Sequence, residues 1–225
     1  MQRRTFIAAA LPLAACALAA ALVAPAPAAR QGQPQAVEWV DNFDGAALDE
    51  TKWERFTFEG AGGRVEVKDG TLRLRSTGGS RAGVRSRVQF AGDRFIFEAT
   101  VARVGRQLPE PGKSESELGF ATVCVLFDGS GRNRVEWVFT SGNTLEAWAV
   151  VDGRGERLDN RRLGTKEQRP TLGIVRRGDE FLFMLNGEEG LRRTIKNMPQ
   201  KFHAMLYGFG TSENDWDSVR VVTVK

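Results

Sequence analysis

Between Asn133 and Thr140 the chain reads N-R-V-E-W-V-F-T. This alternation fits a strand with Arg134, Glu136, Val138 and Thr140 on one side and Val135, Trp137 and Phe139 on the other. Its only carboxylate is Glu136. Acid–base cleavage of a glycosidic bond needs two carboxyl groups, one protonated and one ionised, roughly 5 to 9.5 Å apart. This strand cannot supply both. Glu98 and Glu146 are the partners that neighbouring strands could bring to Glu136, with Cβ atoms about 4.5 to 5.5 Å apart if directly opposed. That route needs one carboxyl kept protonated by burial or like charge, whereas Arg134 beside Glu136 favours ionisation.

Other reactive side chains are few. His203 is the single histidine, and no serine or cysteine near it in sequence completes a triad. Cys124 lies between Val123 and Val125 and reads as a small buried hydrophobe. With one histidine and one cysteine in the body of the chain, a zinc site of those ligand types is not expected.

The elements that must position these residues are short apolar runs of period two, separated by turn residues, the pattern of an all-β sandwich or barrel. Residues 64–67 and 71–75 alternate around Asp69-Gly70, a hairpin signal, and Asn186-Gly187 is another. Further strands are expected over 82–90, 94–103, 117–127, 132–140, 144–151, 171–177, 180–185, 191–195, 202–210 and 217–224. Ser141-Gly142-Asn143 and Asp152-Gly153-Arg154-Gly155 read as turns. No segment of helical length carries a 3.6-residue period. The polar insertion 105–116 is either a solvent loop or a binding loop.

Residues 1–29 hold Arg3 and Arg4, no acidic residue, an apolar run from Phe6 to Val23 and the small-residue sequence Ala26-Pro27-Ala28, the pattern of a removable export signal. Gln2-Arg3-Arg4-Thr5-Phe6-Ile7 resembles a twin-arginine signal, with an ordinary Sec signal as the alternative. Leu13-Ala14-Ala15-Cys16 also resembles a lipobox, whose acylated cysteine would anchor the protein to a membrane. Residues 30–36 are expected to be a flexible lead, and 37–225 one domain without an internal disulfide. The expected location is periplasmic or extracellular, and the expected state a monomer. Removing Arg3 and Arg4 from the 32 basic residues leaves 30 against 28 acidic ones, a net charge of about +2 rather than +4. The excess is too small to argue for a nucleic-acid partner.

Val40-Asp41-Asn42-Phe43-Asp44-Gly45, followed by Leu48-Asp49 and Trp53, resembles the opening of the concanavalin A-like lectin and glucanase sandwiches. Gly173 to Gly178 leading to Leu185-Asn186-Gly187 resembles their late hairpin, and Trp216 to Val221 their closing strand. Gly83 to Arg87 and Arg94 to Ala99 are similar to the strand pair before the catalytic strand of laminarinase-type glycoside hydrolases. The resemblance implies an antiparallel two-sheet jelly roll with a concave face that receives a glycan. Active members use a strand patterned Glu-x-Asp-x-x-Glu or close to it, and this chain has no such pattern. If Glu136 aligns with one of those acids, the partner positions hold Arg134, Val138 or Phe139.

Strand parity assigns Arg85, Arg87, Glu98, Arg134, Glu136, Glu146 and Trp148 to that face. In a glycan groove Trp148 would stack on a sugar ring and the charged groups would bond its hydroxyls. The alternative is a plain solvated face on which opposite charges pair. Trp39, Trp53 and Trp137 are expected in the core. The resemblance also implies a structural calcium between the first and last strands, where Glu38, Asp41, Asp44 and Asp217 fall, with Asp41 and Asp217 the pair to test; oxygen ligands suit that ion. The expected function is an exported, lectin-like domain binding a polysaccharide or oligosaccharide. The alternatives are a divergent glycoside hydrolase and an envelope domain for protein partners.

Overall fold

The computed structural model describes residues 36–57, 63–76, 81–106 and 119–224. The export signal, the lipobox at Cys16 and the insertion from residue 107 onward lie outside them. The described residues form strands and connections, with no helix. In chain order the strands are β1 (Ala36–Asp41), β2 (Trp53–Thr57), β3 (Gly63–Lys68), β4 (Thr71–Ser76), β5 (Arg81–Ser86), β6 (Phe90–Ala91), β7 (Arg94–Arg106) and β8 (Phe120–Leu126). They continue as β9 (Arg134–Thr140), β10 (Thr144–Val151), β11 (Arg154–Arg162), β12 (Thr171–Arg177), β13 (Glu180–Leu185), β14 (Glu188–Thr194), β15 (Lys201–Phe209) and β16 (Ser212–Val224).

Two antiparallel sheets result. The first runs β14-β13-β12-β7-β16-β4-β3, with β1 also on β16; the second runs β11-β10-β9-β8-β15-β5-β2, with β6 also on β15. This is the expected two-sheet jelly roll. The tight turns follow from residue type. Asp69-Gly70, Asp152-Gly153 and Asn186-Gly187 all carry positive φ at both positions, the type I′ geometry that matches strand twist and that Asx-Gly pairs adopt readily.

The inward sides of the sheets meet in one apolar core. Phe97, Ala99, Leu72, Ile174, Phe183 and Val221 come from the first sheet, and Val84, Val123, Trp137, Leu145 and Leu206 from the second. Trp53, Trp137 and Trp216 are fully buried, and each indole N–H finds an acceptor: Asp41 Oδ2 at 2.7 Å, the Met184 carbonyl at 2.8 Å and Asn214 Oδ1 at 2.6 Å. A buried indole donor without a partner would be costly. Trp39 packs edge-on to Trp53 at 5.0 Å.

Four strands go beyond the sequence expectation. The run expected over 82–90 divides into β5 and β6, β1 and β2 are added near the start, and β11 adds a strand where only a turn and loop were expected. β11 has the sequence R-G-E-R-L-D-N-R-R. It forms the outer edge of the second sheet, where charged residues replace apolar alternation and discourage pairing with another chain.

Candidate functional site

The outward side of the second sheet is a lattice fixed by strand register. Trp148 on β10 stands directly opposite Glu136 on β9, Glu136 opposite Cys124 on β8, and Cys124 opposite Met205 on β15. β11 extends this row with Arg157 and β5 with Arg85. The adjacent row places Glu146, Val138, Thr122 and Tyr207 side by side. A β-bulge between Ala147 and Trp148 shifts β11 against β10 beside the site, the kind of irregularity that re-aims a side chain.

This side is not a plain solvated face. Cys124, Leu126, Met205 and Tyr207 form a second buried apolar cluster, with Phe56 and Phe209 packed against it. Above it opens a cleft of about 410 Å³ lined by Trp148, Tyr207, Phe120 and Phe209 among aromatic residues, and by Arg81, Arg134, Glu136 and Glu146 among charged ones. Tyr207 stands opposite Gly83 of β5. A Cβ on that glycine would lie 2.0 Å from the Leu206 carbonyl oxygen and 2.6 Å from Tyr207 Cβ, so only glycine lets the two strands close at this point.

Glu136 is 5 % exposed. Its Oε1 accepts from Arg134 Nε, and Arg134 Nη1 also donates to the Gly131 carbonyl. Burial works against the Arg134 charge, but the Glu136 carboxylate outweighs it and holds the guanidinium above its ordinary value. Burial first, and then the Glu136 charge, push both the Tyr207 phenol and the Cys124 thiol well up. The phenol is hydrogen-bonded to Glu136, and both groups stay neutral at physiological pH. On β10, Trp148 Nε1 donates to Glu146 Oε2 at 2.9 Å. The Arg157 guanidinium lies over the Trp148 ring at 5.8 Å.

The fold brings together Glu136, Arg134, Glu146 and Trp148 and separates the other residues named from sequence. Glu98 is a correction. It sits on β7 in the first sheet, where its carboxylate meets Arg220 Nη1 at 3.3 Å, so the core lies between it and Glu136. Arg85 belongs to the same row as Glu136 but outside the cleft, with Nε 2.5 Å from Glu54 Oε1 and its guanidinium over Phe56 at 4.5 Å. Arg87 lies past the end of β5 and donates to the Glu50 carbonyl at 2.5 Å. His203 uses Nδ1 to reach the Ser86 carbonyl at 2.7 Å.

The suggested calcium pair is engaged otherwise. Asp41 accepts from the Phe43 amide at 3.0 Å and the Trp53 indole at 2.7 Å, with Lys52 Nζ at 3.8 Å. Asp217 pairs with Arg169, and Glu38 with Arg220 at 2.6 Å. No group of three His, Cys, Asp or Glu among the described residues could hold a metal. Calcium takes six to eight oxygens, so these side chains alone would not complete its shell.

Sequence reasoning missed Tyr207, Arg81, Phe120, Phe209 and Arg157. A signal for two of them existed: on β15, His203, Met205, Tyr207 and Phe209 alternate with Phe202, Ala204 and Leu206, so the strand has a second apolar side that needs cover. Arg157 went unseen with its strand.

No family model matches the sequence, and comparison with curated protein sequences returns no significant match. Solved structures do resemble it. The endo-β-1,3-glucanase from Pyrococcus furiosus matches with a TM-score of 0.61 at 13% identity, covering 83% of this chain and 94% of that one. LamA from Zobellia galactanivorans, in complex with laminaritriose and laminaritetraose, matches with a TM-score of 0.60 at 11% identity, over 82% and 98% of the two chains. A carbohydrate-binding module from Bacillus subtilis matches with a TM-score of 0.51 at 14% identity, over 78% and 95%. At these identities the likeness is one of fold: the chain is a two-sheet antiparallel jelly-roll sandwich of the kind that these glucanases and this binding module share.

Proposed function

We propose that this protein is an exported carbohydrate-binding domain that holds a glycan in the cleft beside Trp148 and Tyr207 and does not cleave it. The observation that carries the reading is how the two cleft carboxylates are hydrogen-bonded. Glu136 accepts the Arg134 guanidinium N–H and is hydrogen-bonded to the Tyr207 phenol, and Glu146 accepts the Trp148 indole N–H. Both carboxylates are therefore engaged by donors of the protein itself, an arrangement that suits a binding surface better than a free acid and base pair. The rest of the cleft suits binding. Trp148 offers a partly exposed ring for stacking, and the charged groups around it can bond hydroxyls. That glucanases and a carbohydrate-binding module share the fold supports a carbohydrate ligand.

One observation favours hydrolysis as a second reading. Glu136 and Glu146 line the same cleft on adjacent strands, in neighbouring rows of the register. Diagonal neighbours of that kind lie about 7 to 8 Å apart, within the spacing of inverting glycosidases. Affinity electrophoresis on a panel of polysaccharides, with released reducing ends measured in the same samples, separates the two. Retention without release is expected, and Trp148→Ala should weaken retention at least tenfold while the fold persists. Release of reducing ends that disappears in both Glu136→Gln and Glu146→Gln would establish the enzyme instead. Absence of retention and release together would point to a protein partner.

A further inference from the structure

We infer that the ligand of this cleft is an acidic glycan, one that carries carboxylate or sulfate groups along its chain; this rests on the glycan-binding reading above. The outward positions of the second sheet carry five guanidiniums, Arg81, Arg85, Arg134, Arg157 and Arg162, and only three carboxylates, Glu54, Glu136 and Glu146. Two of those carboxylates are bound by arginines of the same face, Glu54 by Arg85 and Glu136 by Arg134. The third, Glu146, is bound by the Trp148 indole. Among the described residues, Arg157 and Arg162 therefore add positive charge beside the stacking surface that none of these three carboxylates answers.

Edge protection alone does not explain this. A charged edge strand needs charge of either sign, yet β11 sorts its charges by side. Its outward positions, Gly155, Arg157, Asn160 and Arg162, carry cations alone, while the opposite parity mixes Arg154 and Arg161 with Glu156 and Asp159. Arg157 and Arg162 are exposed and have no carboxylate partner among the described residues. Arg157 stands directly opposite Trp148, and Arg162 opposite Thr144, two outward steps along the same strand pair. Those steps amount to roughly 14 Å at the rise of an antiparallel strand. A chain stacked on Trp148 and running beside β11 passes one guanidinium and then the next, with Arg81 across the cleft over Phe209 at 5.0 Å. The planar fork of arginine matches the paired oxygens of carboxylates and sulfates.

The test is calorimetric titration of the purified chain with polygalacturonate, dextran sulfate, laminarin and polyglutamate, at low and high sodium chloride. Binding to polygalacturonate, dextran sulfate or both is expected, weakening at least fivefold in high salt, and the preferred polymer distinguishes carboxylate from sulfate. Arg157→Gln should weaken that binding at least fivefold with an unchanged melting temperature, while Arg192→Gln on the first sheet leaves it unchanged. Salt-independent binding of laminarin as tight as that of the acidic polymers would overturn the inference and leave glycan binding standing. Equal binding of polyglutamate would overturn it too, because the face would then read charge without sugar. Binding of none of the glycans would remove both proposals.

Discussion

Glu136 and Arg134 are two residues apart on one strand, and both are nearly out of water, with side chains 7% and 14% exposed. A charge in that position is tolerable only while its partner remains. Arg134→Met strands the carboxylate, and Glu136→Leu strands the guanidinium. Breaking a buried pair from one side costs about 3 to 5 kcal/mol, whereas replacing both members with apolar groups is often near neutral. Urea unfolding of the two single variants and the double variant should therefore show strong non-additivity, with the double more stable than either single. Singles that lose less than about 1 kcal/mol would place the pair in the surface class. Side-chain parity made this pair legible in the sequence, because alternate residues of one strand must share a side. It could not make Tyr207 legible, since that phenol reaches Glu136 from a strand about seventy residues later, across a register set by the whole sheet.

Elements were legible where their own residues dictate them. The Asx-Gly hairpins were, because positive φ at consecutive positions leaves few residue choices. β11 was not, because an edge strand of this kind hides its period under charge. Glu98 shows a further limit: parity tells which side of a strand a residue occupies, but not which sheet the strand joins. What β7 does place together is an ion ladder on the outward side of the first sheet. Asp215 on β16 accepts from Arg73 of β4 at 3.0 Å and Arg103 of β7 at 3.1 Å. Glu213, one outward step away, accepts from Arg103 and, at 3.4 Å, from Arg75. Burial alone would raise the Glu213 carboxyl, but the hydrogen bonds and charges of Arg103 and Arg75 outweigh it and hold it below its ordinary 4.5. A carboxyl lowered in the folded state stabilises the fold above its unfolded value and loses that contribution as pH falls through the folded one. Glu213→Gln should thus lose about 1 kcal/mol at pH 7, a modest figure because Arg103 is half exposed. Its unfolding curve should approach the parent's as the pH falls below 4.5 and through the lowered folded value. A stability gap as wide at pH 3 as at pH 7 would show that the ladder's ionisation is not its source.

On the scale of the whole molecule, the two sheets are joined by more than apolar contact. Trp137 of the second sheet donates to the Met184 carbonyl of the first at 2.8 Å. Asn214 of the first donates to the Phe120 carbonyl of the second at 2.9 Å, and Ser212 Oγ accepts from the Phe120 amide at 2.8 Å. Separating the sheets would break these bonds in a dry core, so the domain should open as one cooperative unit. Cys124 can report that opening. It is fully buried on β8, three strands in from the β11 edge, and its thiol is held protonated by burial and by the Glu136 charge. Thiol reagents attack only the exposed thiolate. In a Cys16→Ala variant, where Cys124 is the sole thiol, labelling at pH 8 should be at least a thousandfold slower in native buffer than in denaturing urea. Its free energy of opening should match that from equilibrium unfolding, and it should rise when a glycan that fills the cleft is added. Labelling that is fast in native buffer and blind to urea would mean that the floor beneath Glu136 opens on its own. The cleft would then be the least stable part of the second sheet rather than a surface preorganised for its ligand.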